Sequence, residues 1–240
     1  MTLDTLNYKM GQKIAIVGEP TKGKSTSILP NEELKIKGLT PEETIIISFS
    51  GKMLPIRGAN KMYPKDKKIS EGGRFMHLTD VKMLPKLIEY ISTSRPEVKN
   101  IVLEDMQYSM ANEFMSRAKE NGFGKFVDIG VNFSNWMRTI QESRDNLYVW
   151  IIWHPEKDNA GNMKMKTIGN MVDTYLTPEG MMDLIFYADC EKSTNGKMNY
   201  FLVTNNDGRY PARTPNGMFK DLHIPNDLGL VRECLDEYYN

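Results

Sequence analysis

Lys13-Ile14-Ala15-Ile16-Val17-Gly18-Glu19-Pro20-Thr21-Lys22-Gly23-Lys24-Ser25 is the stretch on which the reading of this chain turns. Four apolar residues in a row lead into a complete G-x-x-x-x-G-K-[ST] pattern. A buried strand that empties into this pattern predicts a phosphate-binding loop. Gly18 is expected to let the chain turn sharply off the strand, and Gly23 to leave room for a phosphate. Backbone N–H groups from about Thr21 to Thr26 would converge on a polyphosphate, helped by the positive end of a following helix. That helix must be brief, because Pro30 cannot continue it and Leu29 is pushed out of helical geometry. Lys24, expected to stand exposed at the loop, would reach the β- and γ-phosphates, and the Ser25 hydroxyl would hold Mg2+. The expected binding set is Gly18, Glu19, Pro20, Thr21, Lys22, Gly23, Lys24, Ser25 and Thr26, and the expected ligand is a nucleoside triphosphate.

Working outward, six further segments read as strands: residues 44–49, 74–78, 100–103, 147–153, 183–188 and 200–204. The last two flank the polar turn Ser193-Thr194-Asn195-Gly196 and predict an antiparallel hairpin. Helical periodicity covers residues 81–92, capped by Asp80, with Pro85 set to kink the segment or delay its start. Further helices are expected over residues 112–120 and 125–143. The second carries the stripe Phe126, Ile129, Phe133, Trp136, Met137 and Ile140, which suits packing against a sheet. Strands alternating with helices predict an α/β fold: a mainly parallel sheet between helix layers, closed by a C-terminal antiparallel hairpin, in one domain spanning residues 1–240. Residues 51–73 and 155–167 read as long irregular connections, the second as a flexible loop.

A phosphate loop needs an acidic partner to organise metal and water. Ile101-Val102-Leu103-Glu104-Asp105 ends an apolar strand in two acids, so a carboxylate is delivered to the site on a rigid element. Either acid is a candidate for orienting Mg2+ or for activating water, and one could instead cap the next helix. His154 ends the strand over residues 147–153, at the sheet edge where ligands of open α/β sheets sit. It is a candidate for contacting the γ-phosphate or the lytic water, and a purely structural histidine fits equally well. The candidate catalytic set is therefore Lys24, Glu104, Asp105 and His154, and the candidate metal ligands are Ser25, Glu104 and Asp105. Lys164 and Lys166 could reach a neighbour's γ-phosphate, although a solvated hairpin face fits them better.

Composition narrows the functional classes. The 240 residues hold 31 Lys plus Arg and 31 Asp plus Glu, so no global basic field marks a nucleic-acid binder. Any contact with DNA needs a local patch, such as Lys52, Arg57, Lys61, Lys65, Lys67 and Lys68. Cys190 and Cys234 lack metal-like spacing and read as reduced thiols. Neither a membrane span nor a signal-peptide pattern is evident, which predicts a soluble, cytoplasmic protein.

The loop, the acid pair, His154 and several later strings together resemble a phage-encoded family of RecA-like ATPases. These are short, core-only relatives of the RecA recombinases, several of them in the single-strand-annealing group. The strings are Gly18 to Thr26, Gly51-Lys52-Met53-Leu54-Pro55, Glu104-Asp105-Met106-Gln107-Tyr108 and Met110-Ala111-Asn112-Glu113-Phe114-Met115. They continue with Lys166-Thr167-Ile168-Gly169, Ala212-Arg213-Thr214-Pro215-Asn216-Gly217-Met218-Phe219 and Ile224-Pro225-Asn226-Asp227-Leu228. The resemblance implies a RecA-like P-loop core that hydrolyses ATP with Mg2+. It also implies work on single-stranded DNA in phage recombination, replication or repair, a homo-oligomeric ring or filament, and residence in the host cytoplasm. Two positions depart from the pattern. Glu104-Asp105 stands where the family has Asp-Asp, and Ser48-Phe49-Ser50 stands where RecA-type enzymes place a catalytic Glu, so hydrolysis is expected to be slow or to draw its base from Glu104 or Asp105. Two other classes share the loop. One is a small-molecule or nucleotide kinase, against which the candidate lid over residues 155–165 offers lysines but no arginine. The other is a packaging or remodelling motor without a DNA grip of its own.

Overall fold

The strands that read as continuous apolar runs do so because the sheet is covered on both faces. Thr44-Ile45-Ile46-Ile47-Ser48 and Tyr148-Val149-Trp150-Ile151-Ile152-Trp153 are buried at every position. The structure, a computed structural model, describes residues 11–168 and 170–239. The first ten residues, read above as free of a signal-peptide pattern, and Gly169 of the 166–169 string lie outside the described residues. The strands are β1 (Gln12–Val17), β2 (Thr44–Ser48), β3 (Phe75–His77), β4 (Asn100–Glu104), β5 (Tyr148–Trp153), β6 (Pro155–Lys157), β7 (Met163–Met165), β8 (Leu184–Lys192), β9 (Met198–Val203) and β10 (His223–Pro225). Eight of them form one sheet in the order β10-β9-β8-β1-β5-β4-β2-β3. The pairings from β8 to β3 are parallel, and β8-β9-β10 are antiparallel. The result is a mixed α/β architecture with a large, mostly parallel central sheet flanked by helices and antiparallel strands at its C-terminal end.

The helices are α1 (Ala59–Met62), α2 (Leu84–Ser94), α3 (Gln107–Ser116), α4 (Gly124–Gln141), α5 (Asn170–Tyr175), α6 (Pro178–Met181) and α7 (Leu228–Tyr239). One face of the sheet packs Ile47, Leu103, Ile151 and Trp153 against Ile88 and Ile91 of α2 and Phe133, Trp136 and Ile140 of α4. Phe133 meets Trp136 and Trp153 edge-on at ring separations of 6.1 and 6.0 Å, so the expected stripe is core from Ile129 to Ile140, while Phe126 stays half-buried against Phe114. The other face packs Ile16, Val102, Trp150 and Phe186 against Ile28, Leu29, Leu54 and Ile56, and against Leu228, Val231 and Leu235 of α7.

Several elements differ from the sequence reading. The segment after the loop makes a single turn rather than a helix: Thr26 and Ser27 both donate to the Gly23 carbonyl, and the chain then leaves helical geometry ahead of Pro30. Residues 155–165, expected as a flexible loop, form the antiparallel ribbon β6–β7, tied to β5 by Lys166 N donating to the His154 carbonyl and by Trp153 Nε1 donating to the Lys166 carbonyl. Helix α3 starts five residues before position 112, because Asp105 takes a left-handed φ of 58° that turns the chain straight out of β4. Pro85 delays its helix: Asp80 caps a 3-10 turn over Val81–Met83, and α2 begins behind it. Both β10 and α7 escaped the reading. No helix among the described residues is long and apolar enough to cross a membrane.

Candidate functional site

Strands β1, β5 and β4 are consecutive in the sheet and parallel, so their carboxyl ends deliver the loop, His154 and the Glu104-Asp105 pair to one edge. A cavity of about 1080 Å3 opens there, lined by Pro20, Thr21, Gly23, Lys24, Ser25 and Thr26 on one side and by Lys52, Glu104, Asp105 and His154 on another. Of the expected binding set, Gly18, Glu19 and Lys22 do not line it. Lys22 instead reaches Asp189 of β8 at 2.6 Å, which pins the outer limb of the loop to the sheet. Both loop glycines are also required by the packing of the chain itself. Gly18 has no left-handed φ; a Cβ there would lie 2.8 Å from the Ala188 carbonyl, so it serves close packing against β8. Gly23 has φ 82°, and a Cβ there would lie 2.4 Å from Asn226 Nδ2.

Lys24 is not exposed. It is 6 % accessible, and its ammonium donates to the Gly18 carbonyl at 2.6 Å and the Glu19 carbonyl at 2.9 Å. Burial lowers its pKa to about 8, against the raising influence of Glu104 and Asp105. The N–H groups of Thr26 and Ser27 are taken up by the Gly23 carbonyl, and Lys22 N donates to the Glu19 carbonyl. The span of donors able to meet a phosphate is therefore narrower than residues 21–26. With only one turn behind the loop, the macrodipole contributes less than a full helix would.

The two acids separate into different environments. Glu104 accepts a hydrogen bond from the Ser25 hydroxyl on Oε1, while its Oε2 is buried with no partner. Burial pushes its pKa up to about 7, the Ser25 hydrogen bond offsetting only part of that. Asp105 is equally buried, and desolvation is again the largest single influence. Hydrogen bonds from His154 and Ser50 and the charge of Lys52 outweigh it, so the carboxyl is held well below the usual range. His154 Nε2 lies 3.1 Å from Asp105 Oδ1, and Lys52 Nζ lies 3.3 Å from Oδ2. Against an ionised carboxylate Nε2 carries a proton and donates it. Ser50, in the stretch where RecA-type enzymes carry a catalytic Glu, is one of the groups that favour the ionised form of Asp105.

Ser25, Glu104 and Asp105 present hard oxygen donors, and the unpartnered Glu104 Oε2 beside Ser25 Oγ suits a small divalent cation that keeps most of its waters, as Mg2+ does. No group of three or more His, Cys, Asp or Glu able to hold a metal by itself occurs among the described residues.

The far wall of the cavity comes from the C-terminal third of the chain. Tyr200, Phe201, Pro225 and Asn226 line it, together with Leu34 and Ile36. Asn226 Nδ2 donates to the Gly23 carbonyl at 3.0 Å, so the 224–228 string props the phosphate loop from outside. Lys52, Ser50, Tyr200 and Asn226 were not assigned to the site from sequence. Lys52 and Asn226 lay in strings singled out above, but nothing local to those strings says where they fold. Among the lysines expected to act elsewhere, Lys164 pairs with Glu156 across the β6–β7 ribbon at 3.2 Å, while Lys166 is exposed. Arg57 pairs with Glu33, Lys68 with Glu71, and Lys65 lies over the Phe75 ring, so the 52–68 stretch is a dispersed surface rather than one patch.

No protein-family model matches the chain, and no curated protein matches it.

Proposed function

We propose that this chain is a RecA-like P-loop ATPase that binds Mg–ATP in the cavity at the ends of β1, β4 and β5 and acts on single-stranded DNA as a ring or filament. One observation carries the nucleotide reading: Ser25 of the loop and Glu104 of the acid strand meet by a direct hydrogen bond, 79 positions apart in sequence. In this reading Ser25 and Glu104 hold the metal, which supplies charge neutralisation on the β- and γ-phosphates. Asp105 accepts the Nε2–H hydrogen bond of His154, which in the neutral ring leaves Nδ1 as the candidate acceptor for a proton from water. Lys24 exchanges its two carbonyl partners for phosphate oxygens. The DNA and assembly parts of the proposal rest on the family resemblance and on the exposed lysines Lys61, Lys67 and Lys166.

Phosphate release from Mg–ATP, measured with and without single-stranded DNA over a salt series, tests both halves. ATP turnover stimulated by DNA at low salt and fading as salt rises is the expected result. Lys61→Ala, Lys65→Ala, Lys67→Ala and Lys68→Ala together should flatten that salt slope. Turnover indifferent to DNA in a strictly monomeric protein would remove the DNA half and favour a kinase or a partner-remodelling motor.

A further inference from the structure

The short connection after β2 brings into the cavity a cation that neither the loop motif nor the acid strand requires. Phe49 N donates to the Glu104 carbonyl at 3.1 Å, Gly51 N donates to Ser48 Oγ at 3.1 Å, and Asn112 Nδ2 donates to the Phe49 carbonyl at 3.2 Å. The backbone just before Lys52 is thereby fastened to β4 and α3. The side chain that leaves it is 66 % exposed, yet its ammonium rests on Asp105 Oδ2, whose carboxylate is 7 % exposed. Tyr108 provides a second soft rest, its ring centroid 5.6 Å from Nζ.

Asp105 does not depend on this partner alone. His154 holds its other oxygen. If Lys52 leaves, the buried carboxylate keeps its His154 hydrogen bond, so the ion pair can open without leaving the acid unpartnered. Lys52 and Lys24 line the same cavity, and each is near enough to Glu104 and Asp105 to feel their charge. The side chain is thus anchored at its backbone, held at its tip by an ion pair and a ring contact, and lines the cavity that a polyphosphate on the loop would occupy.

We propose that Lys52 is a second phosphate-binding cation of this site, acting within its own chain, and that Asp105 holds it in reserve until a terminal phosphate takes it over. The proposal rests on the nucleotide reading above and adds to it a basis for telling a triphosphate from a diphosphate. A γ-phosphate brings about two negative charges into the space between Lys24 and Lys52, whereas a diphosphate ends short of it and leaves Lys52 on Asp105. It also removes the need for a neighbouring subunit to supply the only additional cation.

Calorimetric titration of the full chain with Mg–ATPγS and with Mg–ADP tests this. One charge-assisted hydrogen bond is at stake, so Lys52→Met should weaken ATPγS binding roughly 10-fold or more while leaving ADP binding within about 2-fold. Lys52→Arg should restore most of the difference. Because the side chain is exposed, both variants should fold, which circular dichroism checks. An unchanged preference for ATPγS over ADP in Lys52→Met, or an equal loss for both ligands, overturns the assignment while leaving the nucleotide reading intact. A wild-type chain that binds neither ligand overturns the nucleotide reading and this proposal with it.

Discussion

The two faces of the sheet are closed by different kinds of structure. One is covered by α2 and α4, whose apolar residues recur at helical spacing and need no polar help to find their place. The other is covered by the irregular segments 28–39 and 54–63 together with α7, and polar clamps hold that cover in place. Asp227 accepts from Lys37 N, Gly38 N and Gly229 N, joining positions nearly 190 residues apart. Leu228 N donates to the Ser27 carbonyl, and Asn226 grips Gly23. The Gly18–Ser25 loop is joined to this cover through Gly23 and Ser27. A regular helical face makes stability, while a face assembled from distant irregular pieces makes a cavity with many kinds of side chain around it.

The comparison can be broken from either side. On the helical face, Trp136→Ala removes a fully buried indole between α4 and the sheet, and should cost about 3–5 kcal/mol. Urea unfolding measures that loss, and nucleotide affinity of the molecules that remain folded should be unchanged. A parallel loss of affinity would mean that the two faces are not separable. On the clamped face, Lys24→Ala should do the reverse and lower ATP turnover by about 100-fold or more with little change in the urea midpoint. Lys24 bonds only to loop carbonyls at the cavity wall, and water can replace it there. Near-normal turnover in this variant would end the phosphate-loop reading.

Asp227→Ala sharpens the contrast, because on this face stability and binding should fall together. It strips a helix cap and leaves the Lys37 and Gly38 N–H groups without their acceptor, at a cost of about 2 kcal/mol. Nucleotide affinity should drop alongside, since the clamp positions Asn226 against the loop. Affinity that holds while stability falls would reduce the clamp to a structural role.

The smallest effect expected is on pH dependence. Glu104 titrates near 7 in the nucleotide-free fold, above the ordinary value of 4.5, so the folded state holds a proton that the unfolded chain has released. Its contribution to stability is fully present below about pH 4.5 and is lost as pH rises through 7. Thermal midpoints of the nucleotide-free protein between pH 5 and 7.5 should carry this downward slope, and Glu104→Gln should flatten it. Asp105, depressed instead, contributes stability that is lost only in stronger acid, below this window. Identical slopes for the variant and the wild type would show that Glu104 does not titrate there.

What could be read without the structure follows the same division. The stripe from Phe126 to Ile140, the apolar strands and the polar turn at 193–196 are patterns among neighbouring residues, and each appears where its periodicity places it. Helix α7 also carries a stripe, Leu228, Val231 and Leu235, but its start is set by Asp227, whose other partners lie near position 37. The turn after the loop shows the opposite failure. The motif predicts a helix N-terminus, but the segment between Ser25 and Pro30 is too short to complete a second turn.

The sequence by itself determined the Gly18–Ser25 motif, the strand that leads into it and the strand that ends in two acids, because each is written in a few consecutive residues whose backbone geometry and burial are local matters. Only the tertiary structure decided that β5 lies between β1 and β4, and with it that His154 meets Asp105, that Ser25 meets Glu104 and that Lys52 leaves a basic surface stretch to join them. Strand order is a property of the whole packed sheet. Which side chains share a cavity follows from that order and from the long-range clamps that close it, and no short window of residues carries either.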